Sequence, residues 1–218
     1  MSTATLLAGT LDGLGIDRAV FVGSSFGGFQ ATNLAALRPD RVEALVLLAP
    51  AATVLPFRTA ARLMIRAGSL VPMPFTVKPG LRGMMGGELP DARIVRQMET
   101  GVAGFRYDRK GIFPTEIPDA ELRGIACPVL LVLGDRERIY HPVAAAERAR
   151  RLLPDIEVET MPGAGHLPNL QVPQLVNDRI LDFLARKGFP FGEAPAGYEI
   201  QGSHRASAAT PVGAPTPR

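Results

Sequence analysis

Apolar residues in the first fifty positions switch between helical spacing and short continuous runs. Leucines recur at helical spacing over 7–14, which predicts an amphipathic helix. The continuous run over 19–23 (AVFVG) is typical of a strand buried on both faces. The sequence FQATNLAALRP then predicts a helix that ends at its proline, and 42–49 (VEALVLLA) predicts a second buried strand.

The region from 51 to 123 has a different pattern. It contains helical pieces such as TAARLMIRAG, broken repeatedly by proline, and no convincing strand. Five of the seven methionines of the chain lie in it. We interpret it as an irregular helical insertion.

Strand character returns after the insertion. The run 128–134 (PVLLVLG) predicts a third buried strand, 141–153 a helix with proline near its start, and 156–161 an alternating strand. Apolar spacing over 176–183 marks a last amphipathic helix. This alternation of strands and helices predicts a parallel sheet with helices on its faces. From 188 to 218 the chain is rich in Gly, Pro, Ala, Ser and Thr, which predicts a disordered tail.

Composition and charge narrow the class of protein. The net charge of +3 comes from scattered arginines, without the basic cluster and interleaved aromatics that favour nucleic-acid binding. The single cysteine, Cys127, cannot form an intrachain disulfide and precedes an apolar run, so we expect a small core residue. We find no secretory leader and no run long enough to span a membrane, and we therefore expect a cytoplasmic protein.

The strongest chemical signal is the G-x-S-x-G motif over 23–27 (GSSFG). A buried strand enters it and a helix leaves it, which is the context of a nucleophile elbow. We expect the two flanking glycines of this motif to remove side chains that would clash, and the turn to hold Ser25 at the carboxyl edge of the sheet. Ser24 lacks the flanking glycines, and the alternative for the whole segment is a plain serine-rich turn.

A serine nucleophile needs a base, and the chain has three histidines. His204 lies in the predicted tail, and His141 looks like a loop residue at a helix start. His166 lies in PGAGHLPN, between the last predicted strand and the last helix. This is again a loop at the carboxyl end of the sheet, so we expect His166 to be the base, with a plain surface histidine as the alternative.

The orienting acid should follow a strand between the serine and the histidine. LVLGDRERIY offers Asp135 and Glu137, and the residues alone leave both open.

Taken together, GSSFGG, VLGDRERI and PGAGHLPNLQVP resemble the α/β-hydrolase superfamily over about 3–187. The resemblance implies an α/β-hydrolase fold, a partial parallel sheet flanked by helices with an inserted helical cap. It assigns the acid to Glu137, with Asp135 as runner-up, and one oxyanion donor to the N–H of Phe26. It also implies that no cofactor or metal is needed. The cap would enclose an apolar part of the substrate, with these side chains as contacts: Met64, Met73, Phe75, Met84 and Met85.

The resemblance also gives an expected domain organisation and one departure. We expect a truncated N-terminal part of the core over 1–50, the cap over 51–123, the C-terminal part over 124–187 and the tail over 188–218. Family members carry several strands before the elbow, together with the loop that usually holds the second oxyanion donor, and this chain shows neither. We therefore interpret it as a truncated chain, or as one whose start is placed too late, with an exposed edge strand that favours self-association.

The expected function is hydrolysis of carboxylic esters of small apolar substrates through an acyl-enzyme. The same triad also serves amide, lactone and carbon–carbon bond hydrolysis, and these stay open as alternatives. A further alternative is a non-catalytic or weakly active remnant. A serine nucleophile argues against haloalkane and epoxide cleavage, which use aspartate in this superfamily.

Overall fold

The computed structural model of the chain describes residues 3–70, 74–104 and 113–189. Its strands form one parallel sheet in the order β1-β2-β3-β4. The strands are Ala19–Ser24 (β1), Val42–Leu48 (β2), Val129–Gly134 (β3) and Ile156–Met161 (β4). The four predicted strands and the parallel sheet are confirmed, with bounds that differ from the predicted ones by one residue at most.

Helices connect the strands and cover the sheet. They are Thr3–Leu14 (α1), Phe26–Leu37 (α2), Thr59–Leu70 (α3), Val77–Met84 (α4), Ala92–Gly104 (α5), Asp119–Arg123 (α6), Pro142–Leu152 (α7), Pro168–Gln171 (α8) and Pro173–Arg186 (α9). Two short 3-10 turns, Pro39–Arg41 and Pro74–Thr76, precede β2 and α4.

The middle strands are apolar without alternation because both faces of the sheet are covered. On one face, Leu45, Leu47 and Leu131 pack with residues of α1, α2 and α7. On the other face, Val46 and Val132 pack with residues of α9. Because all four strands are parallel, their carboxyl ends meet at one edge of the sheet, where the connecting loops can bring side chains together.

Strand β1 occupies one edge of this sheet. It pairs with β2, and no strand among the described residues pairs with its other side. The side chain of Val22 is 53% exposed, whereas the inner strands β2 and β3 are almost entirely buried. The predicted apolar edge is therefore present in this structure.

The segment between β2 and β3 carries α3 to α6 and, within its described residues, no strand. Its helices α4 and α5 enclose a small apolar cluster of their own. A buried arginine of α7, Arg148, binds both ends of the segment: its guanidinium donates to the carbonyl of Val54 and, at 3.0 Å, to that of Ile117. The carboxylate of Asp119 lies 2.5 Å from the same guanidinium. Both ends of the segment are thus fixed to helix α7.

The C-terminal boundary differs from the predicted one. Gly188 and Phe189, which the sequence placed in the tail, continue the fold: the N–H of Phe189 donates to the carbonyl of Leu184, and its ring packs against the α9 side of the core. An aromatic ring directly after the helix can still reach the sheet face, which composition alone does not reveal. The rest of the predicted tail, 190–218, lies outside the described residues, as does Met73. In the described part of the chain, no helix is long and apolar enough to cross a membrane.

Candidate active site

Ser25 lies in the turn between β1 and α2 with an unusual backbone conformation. Its φ of 48° and ψ of −113° lie in a region that residues with a side chain rarely adopt. The surrounding chain holds it there, because its N–H donates to the carbonyl of Leu48 at 2.9 Å and its carbonyl accepts from the N–H of Ala51, also at 2.9 Å. The strained turn places the serine at the carboxyl edge of the sheet, as an elbow requires.

Two glycines allow the backbone to pack closely at the elbow. Gly23 was predicted, whereas Gly28 was not. A Cβ on Gly23 would lie 2.6 Å from the backbone of Gly27, and a Cβ on Gly28 would lie 2.8 Å from Pro50. A Cβ on Gly27 would meet nothing within 4 Å. The close contacts therefore fall on Gly23 and Gly28, and the expectation that both motif glycines prevent a clash is wrong for Gly27.

His166 lies in the loop between β4 and α8 and reaches Ser25 from the far end of the sequence. Its Nε2 is 2.8 Å from the Oγ of Ser25, and the histidine is buried. When the proton of the neutral imidazole is on Nδ1, Nε2 accepts a hydrogen bond from the hydroxyl of Ser25.

Glu137 is the acidic side chain beside that imidazole. Its Oε2 lies 2.6 Å from Nδ1 of His166, and its Oε1 accepts from the N–H of Ile139 at 2.7 Å. The carboxylate is buried, whereas Asp135 is exposed. Of the two acids that the sequence offered, the structure brings Glu137 to the histidine.

Tyr140 packs against the imidazole ring of His166. Its ring meets that of His166 edge to face, with the centroids 6.2 Å apart. Its hydroxyl is buried and has no hydrogen-bond partner among the described residues. Burial, and after it the charge of Glu137, raises the pKa of Tyr140 well above its ordinary value, so the phenol stays protonated beside the carboxylate.

The first turn of α2 faces the same region. Phe26 is its first residue, and its N–H donates to no backbone carbonyl among the described residues, as is usual for the start of a helix. Such N–H groups favour a negative charge in front of them. The structure thus leaves the predicted oxyanion donor available.

The predicted substrate contacts are scattered over the β2–β3 segment. Met64 and Phe75 are exposed, the latter at 70%. Met85 is only 2% exposed, because it lies in the apolar cluster of α4 and α5. Almost no surface of Met85 is open to a ligand, and its place is in the packing of these helices. Met84, which is half-buried, ends α4.

Two other side chains from the sequence analysis make contacts other than those of Ser25, His166 and Glu137. His141 is the N-cap of α7, where its Nδ1 accepts from the N–H of Ala144 at 3.4 Å. Cys127 is half-buried before β3, at the opposite end of the sheet, and burial raises the pKa of its thiol to about 11. A thiol with that pKa is protonated near neutral pH, so it is a poor nucleophile. His204 lies outside the described residues.

Sequence reasoning missed Gln171, the last residue of α8. Its Oε1 accepts from the N–H of Gly165 at 2.8 Å, and its Nε2 donates to the carbonyl of Met85 at 3.0 Å. Gln171 and Gly165 both stand within PGAGHLPNLQVP, whereas the partner at the end of α4, Met85, lies outside it, so the motif does not reveal the second contact.

The arrangement can move a proton from a hydroxyl to an imidazole that a buried carboxylate holds in place. Within the described residues, no group of three or more histidine, cysteine or carboxylate side chains could hold a metal ion.

Comparison with known proteins agrees with the fold. Residues 2–179 match the model of the alpha/beta hydrolase family. The chain is 32% identical over 190 residues to a Bacillus subtilis protein named uncharacterized carboxylesterase nap, and covers 61% of that protein with 83% of its own length. It is 33% identical over 190 residues to the carboxylesterase YbfK of the same organism, covering 60% of that protein with 79% of its own length.

A solved structure is similar in fold as well. The crystal structure of naproxen esterase from Bacillus subtilis superposes with a TM-score of 0.76 at 33% identity, over 84% of this chain and 65% of that one. The chain therefore spans about three fifths of the length of the curated relatives it matches. The family model matches most of the chain, and the structure has a parallel sheet with a serine at the elbow after β1. This chain therefore belongs to the α/β-hydrolase family.

Proposed function

We propose that the protein hydrolyses carboxylic esters of small apolar substrates through an acyl-enzyme, with Ser25, His166 and Glu137 as its catalytic triad. The observation that carries the proposal is the continuous hydrogen-bonded series from the Oγ of Ser25 through both nitrogens of His166 to Oε2 of Glu137. The three residues come from three different loops at one edge of the sheet.

In the first half-reaction, Ser25 Oγ attacks the ester carbonyl while its proton passes to Nε2 of His166. Glu137 holds the ring through Nδ1 and stabilises the imidazolium that forms. The tetrahedral intermediate collapses when the C–O bond to the alcohol breaks, and the imidazolium gives its proton to the leaving oxygen. The product is an ester between Ser25 and the acyl group.

In the second half-reaction, a water molecule attacks the acyl-enzyme. His166 takes the proton of that water and returns it to the Oγ of Ser25 when the acyl bond breaks. The acid product leaves, and the serine hydroxyl is restored.

The negative oxygen of each intermediate needs donors in fixed positions. We assign one of them to the N–H of Phe26, at the start of α2, where the helix dipole also favours the anion. Loss of such a donor typically costs about 10²–10³ in rate.

The β2–β3 segment acts in this proposal as a cap over the serine. Met64 and Phe75 expose apolar surface on it, and Met84 lies at its contact with the histidine loop. These side chains favour an apolar acyl or alcohol group over a charged one. The proposed partner is a small ester in the cytoplasm, with no nucleic acid, membrane, cofactor or metal involved.

Two named carboxylesterases among the relatives, each more than 30% identical, favour esters over amides, lactones and carbon–carbon bonds. The alternatives from the same triad, and the weakly active remnant, become outcomes of the test. The assay compares p-nitrophenyl butyrate with the matching amide, the butyryl anilide of p-nitroaniline, and with the four-carbon lactone γ-butyrolactone, in the wild type and in Ser25→Ala.

The proposal predicts butyrate hydrolysis at an ordinary enzyme rate, roughly 1–10³ per second, that Ser25→Ala abolishes. Faster turnover of the anilide or the lactone would reassign the bond that is cleaved. Turnover equal in the wild type and in Ser25→Ala would reject the catalytic proposal altogether.

A further inference from the structure

The C-terminal end of α4 touches the loop that carries the proposed base. The N–H of His166 donates to the carbonyl of Met84 at 2.8 Å. A Cβ on the preceding residue, Gly165, would lie only 2.4 Å from that same carbonyl oxygen. The loop and the helix end are thus in backbone-to-backbone contact, and a glycine is what permits it.

Gln171 makes a second connection between the same two pieces. One end of its amide accepts from the N–H of Gly165, and the other donates to the carbonyl of Met85. The side chain is partly buried and uses both of its functions, so it bridges the residue before the histidine to the end of α4.

Apolar packing reinforces this connection. Leu167 and Leu170, which follow the histidine, pack against the cluster that contains Leu81 and Met85. The loop is therefore held on α4 by hydrogen bonds and by buried side chains together.

We propose that Gln171 is a positioning residue for His166, and that it makes the reach of the imidazole to Ser25 depend on α4 remaining in its present position. The inference rests on the proposed function, because it concerns the base of that reaction. It goes beyond it in giving the β2–β3 segment a second role: the segment that covers the substrate also sets the base.

The physical reason is the short range of proton transfer. A base must lie within hydrogen-bond reach of its proton, and a displacement of about 1 Å can cost about a hundredfold in rate. The ring of His166 is fixed at Nδ1 by Glu137, whereas its backbone is fixed by α4 and, through Gly165, by Gln171. Without the bridge, the N–H groups of Gly165 and His166 keep, within the described part of the chain, the single hydrogen bond to Met84.

Two variants separate the two halves of the bridge. Gln171→Met keeps the length of the side chain and removes both hydrogen bonds. Gln171→Glu keeps an acceptor for the N–H of Gly165 but places a carboxylate against the carbonyl of Met85. Gln174→Met is the matched control, because Gln174 is exposed on the neighbouring helix α9.

We expect Gln171→Met and Gln171→Glu each to lower kcat for p-nitrophenyl butyrate by about tenfold or more, with KM within about twofold of the wild type. Gln174→Met should leave both constants unchanged. Inactivation by a small fluorophosphonate should slow in parallel, because that probe needs the base but little of the cap. Should Gln171→Met fail to fold, Gln171→Glu carries the same comparison.

A second readout does not depend on turnover. The proton between Nδ1 of His166 and Glu137 gives a far-downfield NMR signal in such pairs, and we expect both Gln171 variants to broaden it or shift it upfield. An unchanged signal, or kcat within about twofold while the melting temperature falls, would overturn the inference and leave the proposed triad standing. Loss of activity in Gln171 variants alongside full activity in Ser25→Ala would instead reject the triad.

Discussion

The Oε2 atom of Glu137 lies 2.6 Å from Nδ1 of His166, in a contact between the loop after β3 and the loop after β4. The two loops are joined elsewhere as well, since the N–H of Arg136 donates to the carbonyl of Ala164 at 2.8 Å. A buried carboxylate that is fixed in this way can select one tautomer of the imidazole and stabilise its charged form.

Removing that carboxylate should therefore affect turnover strongly. We expect Glu137→Gln to lower kcat for p-nitrophenyl butyrate by more than about a thousandfold, whereas Asp135→Asn, at an exposed side chain two positions away, should stay within about twofold. Steady-state kinetics of both variants, checked for folding by circular dichroism, measures this. Equal and mild losses in the two variants would contradict the assignment of the acid.

The strained backbone of Ser25 should be visible in stability. A residue at φ 48° and ψ −113° costs about 1–3 kcal/mol unless it is glycine. We expect Ser25→Gly to be about 1 kcal/mol more stable than Ser25→Ala by denaturant unfolding, although both lack the hydroxyl.

The control for this comparison is the neighbouring serine, Ser24, which ends β1 in an extended conformation. Because glycine has no advantage there, the free energy of unfolding of Ser24→Gly should be about 0.5–1 kcal/mol lower than that of Ser24→Ala. The same sign of change at both positions would mean that the elbow of Ser25 is not strained.

Because the fold extends to Phe189, two truncations of the tail should differ in their free energy of unfolding. Deleting 190–218 should leave the free energy of unfolding unchanged. Deleting 188–218 also removes the ring of Phe189 from the core and should cost about 1–2 kcal/mol. Urea unfolding of both shortened chains tests it, and equal stabilities would show that Phe189 contributes nothing.

The free side of β1 should promote association between copies of this chain, because, within the described residues, it combines an unpaired strand edge with the exposed side chain of Val22. We expect Val22→Lys to shift the sedimentation profile toward monomer. Leu181→Lys, at a similarly exposed leucine on α9, should not do so. A wild-type chain that sediments as a monomer at high concentration would contradict this expectation.

The middle of the sheet could be predicted closely because its inner strands, β2 and β3, are buried on both faces. A continuous apolar run such as 129–134 has few other structures available between polar turns. Helix positions in the β2–β3 segment were less predictable, since proline and glycine break the apolar periodicity there. The end of the fold was misplaced because one aromatic residue, Phe189, packs on the core inside a stretch whose composition is otherwise that of a tail.

In the candidate site, the loops of the serine and the histidine were enough to propose both residues from the sequence, whereas the choice of Glu137 over Asp135 rested on the family resemblance. The role of Gln171 could not be predicted at all. Its partner Met85 lies 86 positions earlier in the chain, and nothing in either local sequence indicates that contact. The same holds for Gly28, whose close neighbour Pro50 follows the next strand.

If Ser25 is a nucleophile activated by His166, a fluorophosphonate should label it covalently, and peptide mapping of the labelled protein locates the site of reaction. We expect a single phosphonylated site at Ser25; the labelling should be lost in Ser25→Ala and strongly slowed in His166→Ala. Labelling that persists in Ser25→Ala, or that maps to Ser24, would contradict it.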